Sequence, residues 1–372
     1  MNQLQNVQLE QHYTPGSHWV VTANHGYIAY AQEELRRRFG QLKSRILLSG
    51  EVALMELPVS HDDVWSWMRN EPTIFVRHLQ PVQATFVDKN AAQQAEPADV
   101  DGGAEVEAAL WQTTELLECL NTVMAAREWT LEGKSIAVHV RRSGAGSDER
   151  QLRDATVQAI EQLNGTHNLQ AAELVVSLYI HDGVVYAGLS TPEENGSDWS
   201  GGAMRFQRED GQISRAKFKL LEAEKTFGLD FSAYHTALDI GAAPGGWTSL
   251  LLERGVFVTA VDPAKMHPSL MDHPNLQYYG KNAADVAFES NEFDLLVCDM
   301  SWSPKVTAQL VYQLLDAVKP GGTVIVTLKL MHKKPLQTIR DVTEMYEQHL
   351  HILRAKQLFH NRDEITLYMM KY

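Results

Sequence analysis

The stretch that most constrains the fold is residues 237–262, where two apolar runs flank a glycine-rich loop and a helical segment. The first run, 237–240, ends at the loop 241–246, and a helix is predicted over 247–253. The second run ends on Asp262. Glycines let a backbone approach a ligand closely, and a carboxylate about 20 residues further on can accept both hydroxyls of a ribose. This order predicts a strand–loop–helix–strand unit that binds a nucleoside.

The loop sequence indicates which nucleoside cofactor fits. It reads Asp-x-Gly-x-x-Pro-Gly-Gly and not the Gly-x-Gly-x-x-Gly spacing that cradles a pyrophosphate. A ligand with a ribose but no phosphates fits this loop, so we predict S-adenosylmethionine (SAM) and not NAD. Asp262 is expected to bind the ribose hydroxyls. The residues expected to contact the methionine and adenosine are Gly241, Ala243, Pro244, Gly245, Gly246 and Trp247. A purely structural glycine turn in another α/β protein is the alternative.

Length and composition favour a cytoplasmic protein of two or three domains. The chain has 372 residues and no apolar run near the ~20 residues of a membrane span. Its first 15 residues are polar and lack the apolar core of a signal peptide. We therefore expect no membrane partner. The two cysteines, Cys119 and Cys298, have no disulfide or metal spacing, so no metal is predicted. We expect a monomer.

The net charge of −14 argues against a nucleic-acid partner, but its distribution does not. Residues 88–118 hold eight acids and one lysine, which is half of the excess negative charge. Residues 319–340 hold five lysines or arginines and no acid. The segment 331–334 (Met-His-Lys-Lys) could contact RNA phosphates or form a solvated basic loop. Net charge therefore does not decide the partner.

The first 87 residues are predicted to form a small ferredoxin-like α+β domain. Apolar runs and helical patterns alternate there in the order βαββαβ. Ser60 with Asp63 predicts a capping box at the start of the second helix. Residues 88–107 are acidic, rich in Ala and Gln and aperiodic, so they are predicted to be a linker.

Residues 108–205 are predicted to form a second α/β module. Two helices and a strand precede a hairpin whose turn is His181-Asp182-Gly183. With the strand Ile-Ala-Val-His-Val-Arg-Arg at 136–142, this module resembles a THUMP domain. That resemblance implies RNA binding.

Residues 206–372 alternate strands and helices, as expected for a Rossmann-like doubly wound sheet. Asp299 follows the apolar run 293–298, and Lys329 follows the run 323–328. Both are expected at the carboxyl ends of parallel strands, where such sheets bind ligands. Lys219 lies on a helix ahead of the first strand, and Glu364 starts the last strand.

Five ordered motifs in this half resemble FtsJ-like ribose 2′-O-methyltransferases. They read Ser-Arg-Ala-x-Phe-Lys-Leu, Asp-x-Gly-x-x-Pro-Gly-Gly-Trp, Cys-Asp-Met, Leu-Lys-Leu and Arg-Asp-Glu-Ile-Thr. With the THUMP-like module ahead, the whole chain is similar to the RlmM type, which implies methylation of a cytidine ribose in 23S ribosomal RNA. The resemblance also implies a catalytic tetrad at Lys219, Asp299, Lys329 and Glu364.

The chemistry of a ribose hydroxyl is consistent with these residues. The hydroxyl is a weak nucleophile and needs a base and alignment with the methyl donor. We expect Lys329 to be the base and Lys219 to position the ribose. Asp299 is expected to orient Lys329 and lie close to the cofactor, and Glu364 is expected to hold Lys219.

The family pattern places an aspartate against adenine where this chain has Asn282. An amide oxygen can also accept from the adenine amino group, and Asp285 is the alternative.

Two other functions remain open. One is a catalytically silent RNA-binding factor of ribosome assembly, against which the four tetrad residues argue. The other is methylation of another RNA, of a base or of a protein. Base methylation typically uses Asn/Asp-Pro-Pro-aromatic, where this chain has Asp-Met-Ser-Trp at 299–302.

Overall fold

The computed structural model describes residues 18–88, 113–208, 210–330 and 334–372. They divide into two compact units, one ending at Met204 and one beginning at Arg205. No described helix is long and apolar enough to cross a bilayer. Both cysteines are buried free thiols.

The first sheet of the amino-terminal unit has the strand order β2-β3-β1-β4 in the described part of the chain. The predicted βαββαβ order of elements is confirmed. The elements are β1 (His18–Thr22), α1 (Ile28–Phe39), β2 (Lys43–Leu48), β3 (Val52–Glu56), α2 (His61–Asn70) and β4 (His78–Pro81).

The start of α2 matches its sequence signal. The Ser60 hydroxyl accepts from the Asp63 amide, and the Asp63 carboxylate accepts from the Ser60 amide at 3.3 Å. This reciprocal pair satisfies two amides that a helix start leaves without partners. The predicted capping box is confirmed.

The second sheet of this unit has the order β5-β9-β8-β6-β7. The turn between β8 and β9 places Asp182 and Gly183 at positive φ, as a tight hairpin requires. The elements are β5 (Ala84–Val87), α3 (Thr113–Arg127), β6 (Ser135–Ser143), α4 (Glu149–Gln162), β7 (Thr166–His167), β8 (Leu174–His181) and β9 (Val184–Ser190).

Two predictions near residue 88 differ from the structure. Strand β5, assigned by sequence to the first domain, pairs with β9 of the second sheet. Asp88, assigned to the linker, is buried and accepts from the Ser147 hydroxyl at 2.6 Å. The acidic composition of 88–107 led to the assignment of Asp88 to the linker. In the structure, hydrogen bonds hold this carboxylate inside the fold. The rest of the linker, 89–107, lies outside the described residues.

The carboxyl-terminal unit contains a sheet of order β12-β11-β10-β13-β14-β16-β15, in which β16 runs antiparallel to β14. The Rossmann-like α/β prediction is confirmed. The elements are α5 (Lys217–Phe227), β10 (Thr236–Ile240), α6 (Gly246–Glu253), β11 (Phe257–Val261), β12 (Leu276–Tyr279), β13 (Phe293–Cys298), α7 (Pro304–Leu314), β14 (Val318–Lys329), α8 (Pro335–Tyr346), β15 (Leu350–Lys356) and β16 (Glu364–Lys371).

The strand order reverses between β10 and β13, whose carboxyl ends adjoin the glycine loop and Asp299. Such a reversal opens a crevice above the strand ends, where open α/β sheets bind ligands. Buried side chains of β10, β11 and β13, including Ala237, Val258 and Leu295, pack in the core below this edge. The edge is therefore rigidly supported.

Candidate active site

Strand register brings three of the four predicted catalytic residues to one edge of the sheet. Strands β13 and β14 run parallel, so Asp299 and Lys329 both emerge at their carboxyl ends. Strand β16 is antiparallel to β14, and its first residue, Glu364, pairs directly with Lys329. The fourth residue, Lys219, reaches the same edge from α5.

The four side chains form one connected cluster. Lys219 Nζ lies 3.0 Å from Asp299 Oδ1 and 2.5 Å from Glu364 Oε1. Lys329 Nζ lies 2.5 Å from the other oxygen, Glu364 Oε2. Glu364 thus bridges the two lysines, and Lys219 bridges the two carboxylates.

One predicted pairing differs from this arrangement. Asp299 was expected to orient Lys329, but its carboxylate contacts Lys219 and accepts from the Thr327 hydroxyl at 2.7 Å. Glu364 was expected to hold Lys219, and it holds Lys329 as well. The reason is the strand register, which places Lys329 directly opposite Glu364.

Lys219 and Lys329 differ in their neighbouring charges and in the exposure of their side chains. Burial lowers the pKa of Lys219, but the charges of Asp299 and Glu364 more than offset this, so its pKa is raised. Burial likewise raises the pKa of Glu364, but Lys219 and Lys329 bring it below the usual range. Lys219 therefore remains a fixed cation. The Lys329 side chain is 32% exposed, against 18% for Lys219, and is the more accessible amine.

The glycine loop has a backbone that requires glycine at two positions. Gly241 and Gly245 adopt φ values of +72° and +115°. A Cβ at Gly241 would lie 2.5 Å from Met300 Cγ, and one at Gly245 would lie 2.3 Å from Leu270 Cδ1. No side chain fits at these two positions, so a ligand can approach the backbone of the loop there.

Asp262 terminates β11 beside this loop. Its Oδ2 accepts from the Ala243 amide at 3.1 Å, and its Oδ1 accepts from the Ala264 amide at 2.7 Å. Each carboxylate oxygen has a second lone pair for a further donor. The carboxylate is thus oriented and can still accept from two ribose hydroxyls, so the residues present fit a nucleoside cofactor.

Comparisons with known proteins agree with this geometry. A model of the FtsJ-like methyltransferase family matches residues 212–357. Ribosomal RNA large subunit methyltransferase M of Psychromonas ingrahamii is 35% identical over 246 residues, which cover 60% of this chain and 67% of the relative. The chain therefore belongs to the family of ribosomal RNA large subunit methyltransferase M, and residues 212–357 match the FtsJ-like methyltransferase family. It is an enzyme that uses SAM as its methyl donor.

A second relative matches over a shorter stretch. The protein of the same name from Halorhodospira halophila is 35% identical, and the match covers 49% of this chain and 53% of the relative. The chain thus spans about half to two thirds of these relatives. The crystal structure of TrmN from Thermus thermophilus matches 95% of this chain and all of its own, at 12% identity. The TM-score of this match is 0.37, so it supports no conclusion about the chain.

Trp247 takes a structural position in this methyltransferase. Its side chain is buried, and the indole Nε1 donates to the Ala216 carbonyl at 2.9 Å. The bond ties α6 to the segment that begins α5, which carries Lys219. The sequence predicted that Trp247 contacts the cofactor. In the structure its indole holds the start of α5. A contact with the cofactor stays a prediction.

The two residues predicted for adenine lie together. Asn282 Nδ2 donates to Asp285 Oδ2 at 3.4 Å, and both side chains are exposed after β12. The structure does not choose between them. Of the basic segment 331–334, only Lys334 lies within the described residues.

Among the residues that the structure describes, no group of three potential metal ligands occurs.

Asp239, the first residue of the loop motif, is a residue for which the sequence predicted no separate role. It is buried and accepts from the Thr248 hydroxyl at 2.6 Å. Burial raises its pKa to about 7, and the charges of Asp299 and Asp262 add to this effect. The Thr248 bond acts in the opposite direction. Near pH 7 Asp239 is therefore divided between its protonated and ionised forms, and below this pH it is mostly protonated.

Asp239→Asn is expected to change the pH dependence of stability. An unfolded aspartate has a pKa near 4, so between about pH 4 and 7 the folded state holds the extra proton. The unfolding free energy of the wild type then falls as pH rises through this window. The asparagine variant lacks this contribution, so its free energy of unfolding should rise relative to that of the wild type from about pH 5 to pH 7. Urea unfolding without SAM at both pH values measures this gain. A constant difference between the two proteins would contradict the expectation.

Glu222 is a residue that the sequence analysis missed. It lies one turn after Lys219 on α5 and is buried. Its carboxylate accepts from the amides of Phe359 and His360 at 2.7 and 2.9 Å, and contacts His360 Nδ1 at 2.7 Å. It therefore ties the helix of Lys219 to the loop that leads into Glu364.

Glu222→Gln is expected to lower kcat about tenfold, with little change in the KM for SAM. The new amide nitrogen would face a backbone donor, which leaves a buried donor without a partner and costs about 1–3 kcal/mol of stability. Steady-state kinetics and urea unfolding measure the two effects. Glu344→Gln, on the exposed face of α8, is the matched control. Equal losses in both variants would show that Glu222 does not position the cluster.

Proposed function

We propose that this enzyme transfers the methyl group of SAM to the 2′-hydroxyl of a ribose in large-subunit ribosomal RNA. The observation that carries the proposal is the Lys219–Glu364–Lys329 bridge, at the strand edge that also presents Asp299. The names of the relatives support ribosomal RNA as the substrate. A cytidine as the target nucleotide is supported by the sequence resemblance.

The cofactor is proposed to bind along the glycine loop. Gly241, Gly245 and Gly246 offer the open backbone, with Ala243 and Pro244 between them, and Asp262 accepts from the ribose hydroxyls. Asn282 or Asp285 receives the adenine amino group. When bound, SAM supplies an electrophilic methyl group on a positive sulfonium.

In the proposed mechanism, Lys329 in its neutral form accepts the proton of the ribose 2′-hydroxyl. The ribose oxygen, freed of its proton, would then accept the methyl group that bound SAM supplies. Lys219 stays charged between its two carboxylates and positions the ribose. Glu364 holds both amines, and Asp299 with Thr327 fixes Lys219.

RNA binding is proposed to involve the amino-terminal unit as well. Residues 108–205 are proposed to be a THUMP-like RNA-binding domain whose sheet also includes β5, preceded by a ferredoxin-like domain that ends before β5. Residues 89–107 are proposed to be a linker. The basic segment 331–334 is proposed to contact RNA phosphates, so RNA affinity should fall as salt rises. The protein is proposed to act as a cytoplasmic monomer.

The proposal is tested by transfer of tritiated methyl groups from SAM to unmodified large-subunit ribosomal RNA. The labelled RNA is then hydrolysed in alkali. A 2′-O-methyl group blocks cleavage of its own phosphodiester, so label is expected in alkali-resistant dinucleotides. Small-subunit ribosomal RNA and already modified large-subunit RNA are the controls.

Label in mononucleotides would indicate a base as the acceptor and would contradict the proposal. Absence of transfer by a protein that binds both SAM and the RNA would favour the silent assembly factor.

A further inference from the structure

Three rings meet on the surface of the carboxyl-terminal unit, in contact with α5. Phe206, Phe218 and His360 have centroid separations of 5.4 to 5.5 Å. The Phe206 ring is inclined by 25° to His360 and by 30° to Phe218. All three residues are half-buried. The two phenylalanines lie outside the core cluster that the described residues of this unit form. The planes of Phe218 and His360 are inclined by 52° to each other, so only Phe206 is near-parallel to both of its neighbours. The three rings form one aromatic surface, part of which remains accessible.

The ring cluster is built from the two segments that carry tetrad residues. Phe218 directly precedes Lys219 on α5, and His360 lies four residues before Glu364. The contact of His360 Nδ1 with Glu222 fixes the plane of the imidazole against α5. The aromatic surface thus keeps a constant position relative to Lys219 and Glu364.

One cation lies beside the Phe206 ring, and three more are near it in the sequence. Lys225 Nζ lies 5.3 Å from the centroid of the Phe206 ring. Arg205 and Arg208 flank Phe206 in the sequence, and Arg215 precedes α5; all three are exposed. Rings with a cationic rim are complementary to bases joined by phosphates, because every base has a stacking face and every linkage a negative charge. Aromatic rings that served only to pack the core would not need cations beside them.

We propose that Phe206, Phe218 and His360 form a stacking platform for the base of an unpaired nucleotide that flanks the target ribose. The inference rests on the proposed function, to which it adds a binding subsite. Base stacking carries affinity without reading sequence, and single-stranded RNA is recognised largely in this way. The cations near Phe206 hold the adjoining phosphates.

Substitutions at Phe206 separate stacking from packing. Phe206→Leu keeps an apolar side chain but removes the ring, and Phe206→Trp enlarges the ring. Phe257→Leu is the matched control, since Phe257 is an exposed phenylalanine at the opposite, amino end of β11. Binding of an unmodified large-subunit ribosomal RNA transcript is measured by filter retention, beside SAM affinity and the thermal midpoint of each variant.

Phe206→Leu is expected to weaken RNA binding by about tenfold. Phe206→Trp and Phe257→Leu should bind within about twofold of the wild type, with SAM affinity unchanged throughout. Equal RNA affinity of the leucine and wild-type proteins would overturn the platform. So would a loss that the tryptophan variant shares and that follows the thermal midpoint, since this indicates packing.

The test does not depend on methyl transfer. If the wild type labels no ribose while Phe206→Leu still loses RNA affinity, the proposed function fails and the platform is supported. If ribose methylation occurs and the Phe206 variants bind normally, the platform alone fails.

Discussion

Replacing Lys329 with alanine is expected to lower kcat for methyl transfer by about 10²–10⁴-fold, the usual contribution of a positioned general base. The Lys329 side chain is the more exposed of the two lysine side chains that meet Glu364, which is why we expect it to be the base. Lys219 cannot replace it, because two carboxylates raise the pKa of Lys219 and keep it charged. Single-turnover rates with saturating SAM and RNA measure the effect.

Lys305→Ala provides the control for this variant. Lys305 is an exposed lysine of the same unit, paired with Asp341 on α8. Its variant should retain wild-type rates. SAM affinity of Lys329→Ala is expected to stay within about threefold, since the glycine loop and Asp262 are unchanged. A rate within threefold of the wild type would exclude Lys329 as the base.

Replacing Glu364 with glutamine is expected to lower kcat by about 100-fold or more and to destabilise the carboxyl-terminal unit. The carboxylate is 2% exposed at the side chain and contacts both lysines at 2.5 Å. Without it, the Lys219 ammonium and the Lys329 amine face a neutral amide in a largely buried site. Removing one partner of a buried charge pair costs about 3–5 kcal/mol, of which the remaining Lys219–Asp299 pair should recover part.

Urea unfolding and single-turnover kinetics on the same preparations measure both effects of Glu364→Gln. Glu347→Gln, at an exposed position after α8, is the control for loss of a carboxylate. Full activity of a destabilised Glu364→Gln protein would mean that the bridge serves folding alone.

Local signals in the sequence predicted the features that depend on strand ends. An apolar run followed by a charge located Asp299 and Lys329, because side chains after buried parallel strands emerge at one edge. The capping box at Ser60 and the hairpin at Asp182 likewise depend on a few neighbouring residues. Such features need no knowledge of distant packing.

Contacts between distant segments could not be predicted in this way. The family resemblance brought the four residues together and paired Glu364 with Lys219. It did not indicate that Glu364 would also contact Lys329, because this depends on the register of β16 against β14. Glu222 looks like any helical glutamate until the loop at 359–360 folds onto it. Trp247, adjacent to the glycines, bonds to a backbone carbonyl 31 residues away.

The measurement that tests the central claim most directly is the identity of the methylated nucleoside made by the wild type and by Lys329→Ala. Both proteins are incubated with SAM and unmodified large-subunit ribosomal RNA, and the RNA is digested to nucleosides for mass spectrometry. The cluster around Glu364 predicts a 2′-O-methylated nucleoside, expected to be cytidine, from the wild type alone. A base-methylated nucleoside, or equal yields of 2′-O-methylated product from both proteins, would contradict it.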